Sequence, residues 1–472
     1  MTRIIHTGRS LLQRLKIPHR ICCSYTEGPA RAPEGEKDGI ERAIRILRND
    51  FKRIKEGKFI LKEEDIFPNH CDIAIIGGGI MGSAIAYFLK QRTHNGLKIV
   101  VIERDPTYTR ASTTLSVGGM RQQFSLPENI QMSLYSAEFL RNIKMHLSVL
   151  DMEPPDIQFN PHGYLCLASD KGAEQLQKNY NLQNFKFFEL LFFFAGLENE
   201  GWFDPWALLN AFKRKAISMG TRFINGEVIG FDYREDLDPM YVQDDQGAEH
   251  PYQYLQKVIV KTEEGHIEPI KFAIAILAAG PNSGSVAKLA DIGVGPGLLR
   301  YPIPVEPRKR YVFVYHSQNG PGIECPLVID PTGTYFRREG LGGNFVGGRS
   351  PLPSEEPDVK NLDVDYTVFE NQVWPTLAHR VPSFEAIKLK SAWAGYYDYN
   401  TFDQNGIVGR HPYYPNLMLA TGFSGHGIQQ APAVGRAITE LIIDTYYKSI
   451  DLNRFGFERI LSNNPIYETN IF

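Results

Sequence analysis

The chain has 472 residues, 43% hydrophobic and 22% charged, enough for two domains or for one large domain with a second inserted into it. Its 51 basic and 54 acidic residues leave a formal charge of −3, which argues against a polyanion-binding surface and predicts no nucleic-acid partner. The five cysteines, Cys22, Cys23, Cys71, Cys166 and Cys325, lack C-x-x-C spacing and read as free thiols in a reducing compartment; no metal site is expected.

The first 26 residues carry Arg3, Arg9, Arg14, Lys16 and Arg20 and no acid before Glu27, with Leu11, Leu12 and Leu15 able to share one helical face. That composition predicts a mitochondrial transit peptide, and there is no signal-peptide core. Residues 27–69 are a polar lead-in of alternating charge, with a helix expected over Ile40–Lys55.

The stretch from Cys71 to Asp105 organises the rest of the chain. Ile73–Ile76 is an apolar run short enough for a buried parallel strand. Gly77, Gly79 and Gly82 then spell G-x-G-x-x-G. The first glycine allows the tight turn, the second lets backbone approach a pyrophosphate, and the third lets the next helix pack closely on the strand. That helix is predicted over Ile80–Gln91, with Ile80, Ala84 and Tyr87 on one apolar face. A second strand, Ile99–Ile102, runs into Glu103, whose carboxylate can bind both ribose hydroxyls. Glu103 lies 26 residues beyond Gly77, slightly past the usual ~20. An acid there repels a 2′-phosphate, so NAD or FAD is favoured over NADP. The rival reading of Ile73–Leu89 as a membrane span is weakened by its four glycines and a serine.

Further along, Ala111–Gln123 is rich in Ser, Thr and Gly and suits a loop laid against a flavin. Strand-like runs occupy Gly163–Ala168 and Gln256–Lys261. Asp204-Pro205 opens a helix over Trp206–Met219, Gly220 stops it, and one strand is expected over Thr221–Val228. A further apolar strand, Ala273–Leu277, meets the small residues Ala278-Ala279-Gly280. From Pro302 the pattern turns to β, with strands at Tyr311–His316, Pro326–Ile329 and Thr334–Arg338. At the far end a strand, Leu417–Ala420, leads through Gly422–Gly427 to a helix expected over Ala433–Tyr446. Such a turn aims backbone N–H groups and a positive helix end at a ligand, worth roughly 0.3–2 kcal/mol toward an anion. The aromatic run at residues 177–200 stays open between a buried helix and a segment foreign to the fold.

Taken together, the Cys71–Asp105 unit, Ala111–Gln123, Asp204-Pro205, Ala278–Gly280, Tyr335-Phe336-Arg337 and Gly422–Gly427 resemble the D-amino-acid oxidase family of FAD enzymes. The nearer relatives are sarcosine oxidase β subunits and dimethylglycine dehydrogenases. The stretches PVEPRKRYVFVYH, GTYFRREGLGGNFVGGRSP, SAWAGYYDYNTFDQNG and LATGFSGHGIQQAP look most similar to a mitochondrial member that serves assembly of respiratory complex I. The resemblance implies an α/β fold, in which a Rossmann-like FAD-binding domain is interleaved with a mostly antiparallel β-sheet substrate domain. The FAD domain would span residues 70–300, with second-domain segments near 150–200. The second-domain sheet would take 301–400, the FAD domain would return over 401–450, and a tail would follow over 451–472.

By the same resemblance FAD would be held by Gly77, Gly79, Gly82, Glu103, Arg104, Ser112, Thr113, Val228, Gly280, Gly422, Ser424, Gly425, His426, Gly427 and Ile428. Val228 would meet the adenine through its backbone. Arg121, Gln429 and the tyrosines Tyr396, Tyr397 and Tyr399 would face the substrate. Relatives with covalent flavin use a His near Ala111–Val117 or a late Cys. Here the loop is Ser-Thr-Thr-Leu-Ser, so FAD is expected to be non-covalent. Sarcosine-oxidase-like members place a Lys after Gly-His-Gly-x to bind a carboxylate, and this chain has Gln429 there. Two functions follow from the resemblance. One is a matrix-side protein, peripheral to the inner membrane, that serves complex I subunits or assembly intermediates. The other is an amine dehydrogenase or oxidase that moves hydride from an N-methyl or secondary amino acid to the flavin. An NAD-dependent dehydrogenase is disfavoured by the C-terminal glycine loop.

Overall fold

A computed structural model describes residues 67–187, 199–234, 241–243 and 249–469. The predicted transit peptide, the lead-in helix at 40–55 and residues 188–198 of the aromatic run lie outside the described residues.

The dinucleotide-type unit forms as β1 (Ile73–Ile76), α1 (Ile80–Thr93) and β2 (Ile99–Glu103). Then come α2 (Pro127–Arg141), β3 (Tyr164–Cys166), α3 (Ala173–Phe187), α4 (Pro205–Ser218), β4 (Arg222–Asn225) and β5 (Glu227–Tyr233). β6 (Leu255–Lys261), β7 (Ile267–Lys271), β8 (Ile274–Leu277) and the long β9 (Val305–His316) follow. Last are β10 (Leu327–Ile329), β11 (Thr334–Glu339), β12 (Asn344–Arg349), β13 (Lys388–Asn400), β14 (Ile407–Arg410), β15 (Leu417–Thr421) and α5 (Gly427–Ile443).

One sheet has the order β14-β15-β8-β1-β2-β4 and is parallel except where β14 pairs with β15. Ile73, Ile75, Ile99 and Val101 point to one face, where α1, α2, α4 and α5 pack. Ala74, Ile76, Val100 and Ile102 point to the other, covered by the antiparallel trio β7-β6-β5 through Val258, Val260 and Ile270. Burial on both faces is why β1 and β2 read as unbroken apolar runs. The neighbours of β1 are β2 on one side and β8 on the other, so a crevice opens beyond its carboxyl end, where such sheets bind ligands.

The second domain is the sheet β13-β9-β12-β11-β10-β3, antiparallel apart from the β10–β3 pair. Its own core gathers Phe313, Tyr315, Phe336, Phe345, Phe369 and Phe384. β3 comes from the 150–200 region and β9 to β13 from residues 305–400, so the two domains interleave along the chain.

Three sequence expectations need correction. The single strand at Thr221–Val228 divides at Gly226, whose Cβ would lie 2.4 Å from Val260; β4 joins the parallel sheet and β5 the antiparallel one. The last helix begins at Gly427 and not near Ala433, because the burial of Ile428, Gln429, Gln430 and Ala431 carries it through Pro432. Finally, α1 is buried on every side from Ile80 to Lys90, since α4 and α5 also close over it. Gly435 permits that approach, as a Cβ there would come within 2.9 Å of the Ala84 backbone.

Candidate functional site: a cavity between two glycine turns

The turn after β1 is built by close approach. Gly77 (φ +105°) lies against the Ala278 carbonyl, 2.3 Å from where its Cβ would sit, and a Cβ on Gly82 would be 1.9 Å from the Gly77 oxygen. A Cβ on Gly79 meets only Thr113 Oγ1, at 3.4 Å. Glu103 ties the turn from β2: its Oε2 accepts from Gly78 N (2.8 Å) and its Oε1 from Asp105 N (2.9 Å). Thr113 Oγ1 accepts from Ile80 N (3.1 Å), which docks the hydroxyl-rich loop on the start of α1.

The second turn joins β15 to α5. Asp398 Oδ2 accepts from Gly422 N (2.9 Å) and Phe423 N (3.0 Å), and Ser424 Oγ accepts from Asn400 N (2.9 Å). Burial pushes the Asp398 carboxyl up to about 6, against the opposing pull of its bonds from Phe423, its own N–H and Gly422. Ser424 (φ +49°) and Gly425 (φ +96°) reverse the chain, and the ring of Tyr397 lies where a Cβ on Gly425 would be, 2.6 Å away.

Both turns border one cavity of about 1040 Å³. Neither N-cap residue, Gly79 of α1 or His426 of α5, caps its helix with its own side chain, and Thr113 Oγ1 takes the Ile80 N–H of α1, so both helices turn positive ends to this region. In the lining of the same cavity, Arg121 Nη2 lies 3.0 Å from His426 Nε2, and Arg121 N donates to Gln429 Oε1 (2.8 Å). Burial, then the Arg121 charge, hold His426 down to about 3, so the imidazole is neutral and can accept from the guanidinium. Glu200, 1% exposed, accepts from Gln122 N (3.1 Å) and Gln123 Nε2 (2.7 Å) beside Arg121, and burial pushes its carboxyl up to about 7.

Of the residues expected at the cofactor, Gly77, Gly79, Glu103, Arg104, Ser112, Thr113, Val228, Gly280, Ser424, Gly425, His426, Gly427 and Ile428 line this cavity, as do Arg121, Tyr397 and Gln429. Gly82 and Gly422 do not. Gly82 is spent on helix–strand packing, and Gly422 (φ +78°) is turned toward Val305 and Asn400 with its N–H held by Asp398. Gln429 is 3% exposed and its amide oxygen is taken by Arg121 N, so it braces the loop and does not offer that atom to a substrate. Tyr396 gives its hydroxyl to the Val359 carbonyl (2.7 Å). The sequence reading assigned no role to Tyr164, Tyr335, Asp398, Arg308 and Arg310, all of which line the cavity. Tyr335 belongs to the Tyr335-Phe336-Arg337 motif, and the alternation of β9 is the signal that pairs Arg308 with Arg310.

The donor set suits FAD. A glycine turn at a helix N-terminus fits a pyrophosphate, and Glu103 at the tip of β2 fits a ribose diol. Ser112 Oγ is buried beside the cavity with no partner among the described residues, as expected for a hydroxyl that a ligand satisfies.

Fold and site together have the architecture of FAD-dependent oxidoreductases, and the chain belongs to the DAO family of FAD dependent oxidoreductases, which it matches over residues 72–441. It is similar to FAD-dependent oxidoreductase domain-containing protein 1 of Xenopus laevis, 51% identical over 86% of each chain. It is also similar to the homolog of that protein in Drosophila melanogaster, 41% identical over 98% of each. Among solved structures it resembles L-proline dehydrogenase from P. horikoshii, with a TM-score of 0.67 and 24% identity over 85% of this chain and all of that one.

Proposed function

We propose that this chain is a mitochondrial flavoprotein that holds FAD without a covalent bond. It acts at the matrix face of the inner membrane in assembly of respiratory complex I, with complex I subunits or assembly intermediates as partners. The observation that carries the flavin reading is the one cavity on which two helix N-termini and the Glu103 carboxylate converge. Non-covalent binding is supported by a lining without cysteine among the described residues, and by a His426 nitrogen already engaged with Arg121. The assembly role is supported by the resemblance of four long stretches to a mitochondrial member that serves complex I assembly, and by the arginine-rich, acid-free start of the chain. Gln429 supports it further. A neutral amide bonded to backbone stands where sarcosine-oxidase-like members hold a carboxylate with a charge, which argues against fast amino-acid turnover. The test is complementation. Cells lacking the chain should accumulate complex I intermediates, wild-type protein should co-migrate with those intermediates and restore the complex, and Glu103→Ala should not restore it.

A second reading, an amine dehydrogenase or oxidase for an N-methyl or secondary amino acid, is favoured by Arg121. Its guanidinium borders the cavity with Tyr164 and Tyr335. FAD, when bound, supplies the two-electron oxidation of a C–N bond. Arg121 would orient a carboxylate, and the β9–β13 sheet would keep water away. Bleaching of the flavin absorbance by N-methylglycine or N,N-dimethylglycine tests it, and a spectrum inert to both excludes it for those substrates.

A further inference from the structure

Glu200 is a buried acid for which the flavin reading has no use. Gly119 pairs with Trp202 and Met120 with Gly201 in a short antiparallel ladder, and the next step of that register sets Glu200 opposite Arg121. Arg121 and Tyr164 border the cavity; Glu200, 1% exposed, does not. Any effect of this acid on a ligand therefore passes through its neighbours.

Its carboxyl group is tied on several sides. Oε1 accepts from Gln122 N (3.1 Å) and Gln123 Nε2 (2.9 Å), Oε2 accepts from the same Nε2 (2.7 Å), and the Tyr164 backbone N–H supplies a further bond. These bonds join the loop that carries Arg121 to the strand that carries Tyr164, so one side chain fixes both. The surroundings also suit a protonated acid. Gln123 Oε1 is buried with no partner among the described residues, and a half-turn of that amide would let it receive the Glu200 O–H. Both charge states can thus be hydrogen-bonded on the same backbone.

Burial is the largest influence on this carboxyl and holds it at about 7, against the bonds from Gln123 and Gln122 and the Arg121 charge. Other groups here are set away from neutrality. Burial pushes the Cys166 thiol up to about 12, raises the Tyr164 hydroxyl further above its ordinary value, and holds the His426 imidazole down at about 3. Also near this end of the ladder, Arg337 lies over the Trp202 ring (5.6 Å) and pairs with Glu339, His162 lies beside that ring (5.4 Å), and Arg141 donates to Asn199 Oδ1 (2.6 Å).

We propose that Glu200 is a positioning residue for Arg121 that ties anion recognition in the cavity to a proton: a carboxylate binds more tightly when Glu200 is protonated than when it is ionised. An ionised Glu200 offsets the Arg121 charge and repels a second anion, and a protonated one does neither. By linkage, an entering carboxylate draws a proton onto Glu200. The inference rests on Arg121 as the carboxylate contact of a flavoprotein and deepens that reading by naming what regulates it.

The test uses the FAD-loaded full chain titrated with furan-2-carboxylate, which has no amine and stays ionised near neutrality, while the flavin absorbance is followed at constant ionic strength. Half-saturation at about pH 8 should need at least about fivefold more ligand than at about pH 6, the lower end of ordinary coupling between two sites. Glu200→Gln should keep FAD and bind alike at both pH values, close to the wild type at the lower one. A merely structural Glu200 would instead weaken binding equally at both, or leave the pH change intact, and either result overturns the inference. His162→Gln removes the other side chain here of a type that titrates near neutrality, and it should leave the pH change as in wild type; its loss there overturns the assignment to Glu200. Calorimetry of the wild type in two buffers of different ionisation heat needs no variant. Binding at about pH 7.5 should take up protons, and binding without proton uptake overturns the inference while Arg121 stands as the carboxylate contact. A flavin that the carboxylate does not perturb at any pH overturns both.

Discussion

Arg121 and His426 are 305 residues apart in the chain, yet Nη2 of one lies 3.0 Å from Nε2 of the other. The first lies in the hydroxyl-rich loop docked on α1, and the second is the N-cap residue of α5. Their contact, with the bond from Arg121 N to Gln429 Oε1 (2.8 Å), ties the two glycine turns to a common cavity. Because His426 is held neutral, no second positive charge meets the guanidinium at this contact.

Replacing Arg121 by Leu should therefore spare the cofactor and damage ligand binding. The variant should carry FAD at wild-type stoichiometry, while the spectral response to amino-acid carboxylates moves to at least about tenfold higher concentration. Absorbance titration checks both. Loss of flavin would place Arg121 at the cofactor.

The glycines of the first turn should separate by function. Gly82→Ala forces a Cβ to 1.9 Å from the Gly77 oxygen, so it should cost about 1–3 kcal/mol of stability and lower the melting temperature by a few degrees. Gly79→Ala meets only Thr113 Oγ1 at 3.4 Å, so the apoprotein should melt as wild type does while FAD binds more weakly. Thermal melts of both apoproteins, with flavin content alongside, decide it.

Glu103→Ala removes the acceptor for Gly78 N and Asp105 N together with the partner for the ribose. FAD affinity should fall about 10- to 100-fold, measured by flavin fluorescence during titration of the apoprotein. Affinity within threefold of wild type would remove the nucleotide from this end of the cavity.

Asp398 predicts a pH dependence. Its carboxyl is at about 6 in the folded chain against ~3.9 in the unfolded one, so the folded state binds the proton more tightly. Stability from this group is greatest below pH ~4, falls as pH rises to about 6, and is level above that. Asp398→Asn keeps an oxygen for the Gly422 and Phe423 N–H groups and cannot ionise. Relative to wild type it should gain about 1–2 kcal/mol between pH 4.5 and 7, read from denaturant midpoints. A difference that stays the same at both pH values would contradict it.

Much of this was legible in the sequence where local chemistry sets the outcome. Apolar runs gave β1, β2 and β8, and Asp204-Pro205 gave α4, with Asp204 Oδ1 accepting from Trp206 N (2.8 Å) and Ala207 N (3.1 Å). Tertiary packing decided the rest. Pro432 read as a barrier because its cost is local, whereas the burial that carries α5 through it comes from distant residues. Gly422 looked like its neighbours in a glycine-rich loop, and only the position of Asp398 shows its N–H to be occupied. Arg308 and Arg310 were hidden because alternating basic residues on a strand usually face water. Their partners Glu356, Tyr397 and Tyr399 lie 46 to 91 residues away.

The most direct test is the flavin content of the purified chain before and after denaturation. The account predicts a yellow protein that releases about one FAD per chain into the supernatant when precipitated with acid or heat. Colourless protein that takes up no FAD, or flavin that stays with the precipitate, would contradict it.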